Sequence, residues 1–407
     1  MHEPRPCRLA ALGMRNALGR DRHEIWPRLL AGDQSRFTLD RERVPGRSLW
    51  FGAVQGALPA VPRSLAAYDC RNNAMTLAAL EPIEDLLRDA VRAVGAARVG
   101  VVMGTSTSGV ADAEAALQHE RATGRLAPRF AYAQLEFGGV AGFVAELLRL
   151  GGPAYTLSTA CSSGARALAS ARSLLSLGVC DAVIAGATDT LCGLTTNGFS
   201  SLQAISDELV NPMSVNRKGL TLGEGSALFL ALREPGGIQL LGAGESSEAH
   251  HMSAPDPEGL GAETAMRQAL ADAGVTPREV AYLNLHGTGT PLNDAMESAA
   301  VARVLGAALP CSSTKSLVGH TLGAAGAIEA GFCWMMLAEA ESGEIALPPH
   351  VWDGQRDPAL APIRLAEKGE RVRPAGRALV LTNSFGFGGN NCTLLLGREL
   401  GAEGGGC

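Results

Sequence analysis

The chain is 407 residues long, 46% hydrophobic and 19% charged, a composition that supports a buried core and excludes disorder. A net charge of −6 with no basic block removes nucleic acid from the expected partners. Nine scattered cysteines without a CxxC pair exclude a zinc or disulfide framework and fit a reducing cytoplasm, and no apolar stretch approaches the ~20 residues of a membrane helix.

The first 22 residues have no long apolar core or cleavage site, so no signal peptide is expected. Aromatics are only 4% of the chain, so the core must come from Ala, Leu and Val. Short apolar runs at 8–14, 99–104, 154–159, 181–188 and 226–232 read as buried strands, and a second series follows at 238–244, 281–286, 310–314, 378–383 and 392–397. Amphipathic stretches at 162–177, 263–273, 294–305 and 324–340 read as helices between them. This alternation predicts an α/β fold of mixed sheets covered by helices. Each series has five strands in similar order, which divides the chain into related halves, 1–236 and 237–400, joined where Pro235-Gly236-Gly237 breaks the pattern. Residues 340–377 read as a long surface excursion and 401–407 as a disordered tail.

Cys161 lies between the strand ending near Thr159 and an alanine-rich helix starting near Ser162. Free N–H groups and the dipole of that helix favour negative charge, so the thiol is expected to be more acidic than usual. Gly164 and its small neighbours are expected to let a substrate backbone come close. The bland alternative, a small buried hydrophobe, suits the other eight cysteines.

His286 ends a strand and opens a turn of Gly and Thr, where the Thr288 and Thr290 hydroxyls can bond an amide-bearing arm. His320 sits in a glycine-flanked loop before a second alanine-rich helix, in which Glu329 falls on a face looking back at Lys315. Either histidine alone would read as a capped structural residue; two in such turns favour function. The loop from Thr382 through Phe385 and Phe387 to Asn391 is either a tight hairpin with two packed rings or an oxyanion site of backbone amides. A thiolate with two imidazoles fits acyl transfer through a thioester. Two neutral imidazoles suit stabilisation of the enolate formed when a malonyl thioester loses carbon dioxide.

The segments STACSSG, LHGTGTPLND, STKSLVGHTLGAAG and NSFGFGGNN, in that order, resemble those of β-ketoacyl-acyl-carrier-protein synthases of the elongating type, over nearly the whole chain. The resemblance implies a thiolase-like fold of two duplicated αβαβα-layered halves, working as a homodimer or as a heterodimer with a ketosynthase-like subunit. It implies Cys161 as acyl acceptor, His286 and His320 as the decarboxylation pair, and Lys315 with Glu329 as an ion pair near the second histidine. It also implies an oxyanion hole from the amides of Cys161 and Phe387, and Phe387, beside Phe385, as a gating ring. Thr288 and Thr290 would contact phosphopantetheine, Thr107 would set acyl-pocket depth, and Asn383 joins the substrate-binding residues. No metal or bound redox cofactor is implied, since 4′-phosphopantetheine arrives on the acyl-carrier protein that is the expected partner.

Where the family usually reads close to RPFDxxRDGF, this chain has Asn211 to Leu220, with Asn216 and Lys218 at commonly acidic positions, altering charge near the dimer and active-site rim. With the unusual segment Tyr68-Asp-Cys-Arg-Asn-Asn73, these features look more like ketosynthases of aryl-polyene pigment clusters than the housekeeping enzyme. Two rivals remain. A thiolase needs a second cysteine in the last glycine loop, where Phe387 and Asn390 stand and Cys392 follows only in the next strand. A silent chain-length-factor-like partner lacks the nucleophilic cysteine.

Overall fold

The computed structural model describes residues 7–400, so the tail 401–407 lies outside the described residues. Each of the ten apolar runs forms a strand: β1 Arg8–Arg15, β2 Val99–Gly104, β3 Ala154–Leu157, β4 Ala182–Asp189, β5 Gly225–Leu232, β6 Gln239–Ser247, β7 Tyr282–Asn284, β8 Pro310–Ser312, β9 Arg377–Gly386 and β10 Asn390–Glu399. They lie in one sheet in the order β8-β7-β9-β10-β6-β1-β5-β4-β2-β3, with the two-residue strand Arg364–Leu365 beyond β8.

Read outward from the β1–β6 seam, each half places its own first, fifth, fourth, second and third strands in the same sequence. The senses match too. The second strand is parallel to the third and fourth, and the fifth is antiparallel to the fourth and first, in both halves. The duplication expected from strand order alone is therefore a repeated topology. The seam itself is slight, with a single registered pair, Arg8↔Gln239.

Helices fill three layers around the two half-sheets. α1 Arg71–Leu80 and α2 Gly139–Leu148 pack outside the first half, and α5 Leu260–Ala273 with α6 Pro291–Val304 outside the second. α3 Ser163–Ser176 and α7 Ala325–Ala338 pack against each other between the halves, with a short α4 at Gly193–Ser201 near the site. A helix enclosed on all sides must be apolar all round, and every residue of α7 from Ala325 to Leu337 is buried.

Where α3 and α7 meet, glycine is required on both. A Cβ at Gly164 would lie 2.7 Å from the Ala327 nitrogen, and one at Gly326 would lie 2.8 Å from the Ala165 nitrogen. Gly164 thus makes room for α7, not for substrate as the sequence had indicated. Gly164→Val is expected to lower stability by about 1–3 kcal/mol or more through overpacking, read from denaturant unfolding.

Residues 340–377 are more than a surface excursion. Ile345–Ala346 pairs with Arg371–Val372, and Leu347, His350 and Ile363 are buried. Among the described residues, no helix is long and apolar enough to cross a membrane.

Candidate active site

The chain between β3 and α3 turns sharply, with Ala160 at φ 53°, in the left-handed region that a residue with a Cβ rarely adopts. Hydroxyls brace the turn. Ser163 Oγ donates to the Ala160 carbonyl at 2.6 Å and accepts the Thr159 amide at 2.9 Å, while Ser162 Oγ donates to the Thr159 carbonyl at 2.9 Å. The result is a nucleophile elbow that projects Cys161 just ahead of the α3 N-terminus.

The corresponding turn of the second half, between β8 and α7, carries His320. Its amide donates to Thr221 O at 2.7 Å and its carbonyl accepts Gly223 N–H at 2.9 Å, fixing the loop. The two equivalent turns meet, with His320 Nε2 3.0 Å from Cys161 Sγ. The amide of Phe387, in the glycine loop between β9 and β10, also bonds the sulfur.

His286, beyond β7, completes the group, its ring 5.3 Å from that of His320 at 85°. Glu297 on α6 holds this turn by accepting the His286 amide at 2.8 Å and the Gly287 amide at 2.7 Å. The Lys315 ammonium bonds the His286 carbonyl, lies 3.3 Å from His286 Nδ1 and pairs with Glu329 at 2.6 Å. The ion pair read from the sequence therefore exists, but it supports the first histidine rather than the second. Lys315 arrives from the loop after β8, parallel neighbour of β7, so it meets the end of that strand.

The cysteine and two histidines hold ligand atoms all within 4.8 Å of one another, close enough to suggest a cation site. The lysine decides otherwise. An ammonium only donates, so Nδ1 of His286 must accept, and the ring proton sits on Nε2. An N–H there stabilises negative charge and does not ligate a metal. Burial, then the Lys315 charge, hold both imidazoles well below the usual histidine range, so both are neutral.

The thiol reverses the expectation of acidity. Burial pushes Cys161 up to about 11, outweighing the Lys315 charge and the Phe387 amide, which act the other way. At neutral pH, sulfur and imidazole form an uncharged pair sharing one proton. Alkylation of Cys161 by iodoacetamide is expected to keep climbing from pH 7 to 10, where an acidic active-site thiol would have levelled off; stopped-time mass spectrometry would follow it.

A cavity of about 280 Å³ opens onto the three side chains, and Thr288, Thr290, Phe385 and Phe387 line it with Leu202 and Leu292. The two threonine hydroxyls lie 2.9 Å apart. The Phe387 ring tilts against Phe199 of α4 at 5.4 Å, and Phe385 meets His286 at 5.9 Å. Thr107 and Asn383 are elsewhere. Thr107 is buried, with its hydroxyl and amide donating to Asp189 at 2.7 and 2.8 Å. Asn383 is also buried, donating to Glu297 at 3.2 Å and accepting from Thr393 at 2.8 Å.

Two acids escaped the sequence reading. Glu297 lies three residues after Asp294, one helical turn, and that spacing after the His286 turn was the available signal. Asp189 ends β4 and gathers the 105–107 turn and the Ala324 amide ahead of α7; nothing in its neighbourhood announced this.

An acyl group can rest on this sulfur while a carbanion forms beside it, and the duplicated fold around that pairing is that of the thiolase-like condensing enzymes. Family models for the beta-ketoacyl synthase N-terminal domain and C-terminal domain match residues 6–235 and 238–345. The chain belongs to the β-ketoacyl synthase family and is an acyl-transferring condensing enzyme. It is 35% identical over 325 residues to 3-oxoacyl-[acyl-carrier-protein] synthase 2 of Rhizobium meliloti, covering 74% of each chain. With the enzyme of the same name from Coxiella burnetii it shares 30% identity over 420 residues, 97% of this chain and 99% of that one. A ketosynthase (ApeO) solved in complex with its chain length factor (ApeC) from Xenorhabdus doucetiae is 42% identical, with a TM-score of 0.90, covering 98% of this chain and 100% of that chain.

Neither rival gains support. Cys392 is buried in the central core, away from the base position a thiolase would need, and the cysteine that a silent partner lacks is here beside both histidines.

Proposed function

We propose that Cys161 accepts an acyl group from a carrier thioester, its proton passing along the 3.0 Å Sγ–Nε2 line to His320 and on to the departing carrier thiol. A malonyl-acyl-carrier protein then enters. His286, donating through Nε2, stabilises its thioester oxygen as carbon dioxide leaves, and His320 assists from the sulfur side. The enolate carbon attacks the acyl carbonyl, whose oxygen the Cys161 and Phe387 amides receive. The C–S bond breaks, its electron pair returns to the Cys161 sulfur, which takes a proton from solvent, and a 3-oxoacyl-acyl-carrier protein is released. The Thr288–Thr290 pair holds the phosphopantetheine arm in the cavity, and Phe387 against Phe199 gates it. No resident metal or redox cofactor has a step in this scheme. The observation that carries the reading is the neutral imidazole pair beside the elbow sulfur, with the His286 tautomer set by Lys315.

The substrate class is a polyenoyl chain of the aryl-polyene type, made in the cytoplasm with a chain-length-factor-like subunit as partner. The 42% identity with a ketosynthase solved with its chain length factor supports this over a housekeeping role. Mass spectrometry of Cys161 after exposure to competing saturated and polyenoyl carriers should find the polyenoyl adduct in excess. Equal capture of both would remove the narrower assignment and leave the condensing chemistry intact.

A further inference from the structure

His350 belongs to the 340–377 segment, far in sequence from the catalytic turns, yet its ring is buried with both nitrogens engaged. Nδ1 accepts the Ser313 amide at 3.1 Å, so the proton is on Nε2, which donates to the Pro212 carbonyl at 3.0 Å. Burial pushes the ring down to about 4, keeping it neutral in this role.

Both contacts lead to the turn that carries His286. On one side, Ser313 Oγ donates to the Gly287 carbonyl at 2.6 Å, and Gly287, at φ 39°, is so tight against this residue that a Cβ would lie 2.5 Å from Ser313 Cβ. On the other side, the residue after Pro212 donates its amide to Asp294 Oδ2 at 2.8 Å, while Asp294 Oδ1 accepts the Gly289 amide at 3.2 Å. His350 therefore buckles the turn at Gly287 and at Gly289.

The rest of the 211–218 loop is fastened to the same segment. Asp353 accepts from Ser214 and Asn216 at 2.8 Å each, and Arg217 pairs with Asp357 at 2.5 Å. The departure at Asn216 is thus also one half of a clasp to residues 350–357, and Lys218 pairs with Glu208 at 2.6 Å on the surface.

We propose that His350 is a positioning residue for decarboxylation, holding the His286–Gly289 turn through Ser313 and Pro212. The proposal rests on the assignment of His286 to the decarboxylation step. A displaced imidazole of order 1 Å costs up to ~10²-fold in rate, so His350→Ala should slow malonyl-carrier decarboxylation by roughly tenfold or more through kcat. Acyl loading of Cys161 from a p-nitrophenyl acyl ester, which has no phosphopantetheine arm for Thr288 to hold, should stay within about twofold.

Two conservative variants separate the contacts. His350→Asn can keep an acceptor for the Ser313 amide, and His350→Gln can keep a donor for the Pro212 carbonyl. The Ser313 route is the shorter one to His286, so His350→Asn should recover more decarboxylation than His350→Gln. The pair decides the matter even if His350→Ala fails to fold. Equal losses in loading and decarboxylation, or decarboxylation unchanged in His350→Gln, would overturn the proposal. A wild-type protein unable to decarboxylate the malonyl carrier would instead overturn the role of His286 itself.

Discussion

Exchange of Cys161 for alanine should lower condensation by about 10⁴-fold or more, with no acyl adduct by mass spectrometry, because a covalent carrier cannot be replaced by proximity alone. Decarboxylation of the malonyl carrier should persist. Its two imidazoles are held from other elements, His286 by Glu297 and Lys315 and His320 by Thr221 and Gly223, and none of these supports passes through the sulfur. Measuring carbon dioxide release beside product formation separates the steps. If condensation survived in the variant, the thioester route would be wrong. If decarboxylation vanished with it, the division of labour between the elbow and the histidines would be wrong.

Lys315→Met should injure the protein twice. The ammonium is nearly inaccessible and compensates Glu329, so its loss leaves a buried carboxyl unpaired, a defect that costs about 3–5 kcal/mol. Burial already pushes Glu329 up to about 7. A carboxyl raised in the folded state binds its proton more tightly there than when unfolded, so the defect should be largest at alkaline pH and shrink on acidification. The second injury is chemical. Without the ammonium, nothing obliges His286 Nδ1 to accept, the ring can carry its proton on the wrong nitrogen, and decarboxylation should fall by ~10²–10³-fold, as for loss of an oxyanion donor. Adding Glu329→Gln should restore much of the stability but not the rate. Recovery of both together would mean that Lys315 acts only as a counter-ion.

The strands were legible because each is an apolar run bounded by turn residues, and all ten lie within a few positions of the expected bounds. Their shared spatial order was not, since pairing is a tertiary choice that no run encodes. The short sheet of Thr38–Asp40, Leu49–Gly52 and Leu222–Gly223 went unseen, its strands being too brief for any periodicity. Within the site, the residues whose side chains reach the cavity were found in unusual turns, whereas the polar residues that only brace those turns were missed or assigned to substrate. Glu297 went unremarked in the expected 294–305 helix, and α6 turns it inward to the His286 turn. Thr107 and Asn383, polar and near motifs, were assigned to substrate although the fold spends their hydrogen bonds on Asp189 and Glu297. Nor did the setting of Cys161 reveal how far burial would outweigh a helix terminus.

Cys161 and His320 occupy the same station in the two halves, each between a third strand and a central helix, and they meet at 3.0 Å. Two identical chains arranged this way would have to confront like with like. Paired sulfurs would be open to oxidative cross-linking, and paired neutral imidazoles would offer no nucleophilic sulfur to carry the acyl group. Fusing the repeats into one polypeptide frees each site to mutate alone, so an electrophile's receiver and a proton's receiver can be chosen independently at a point where symmetry would otherwise forbid it.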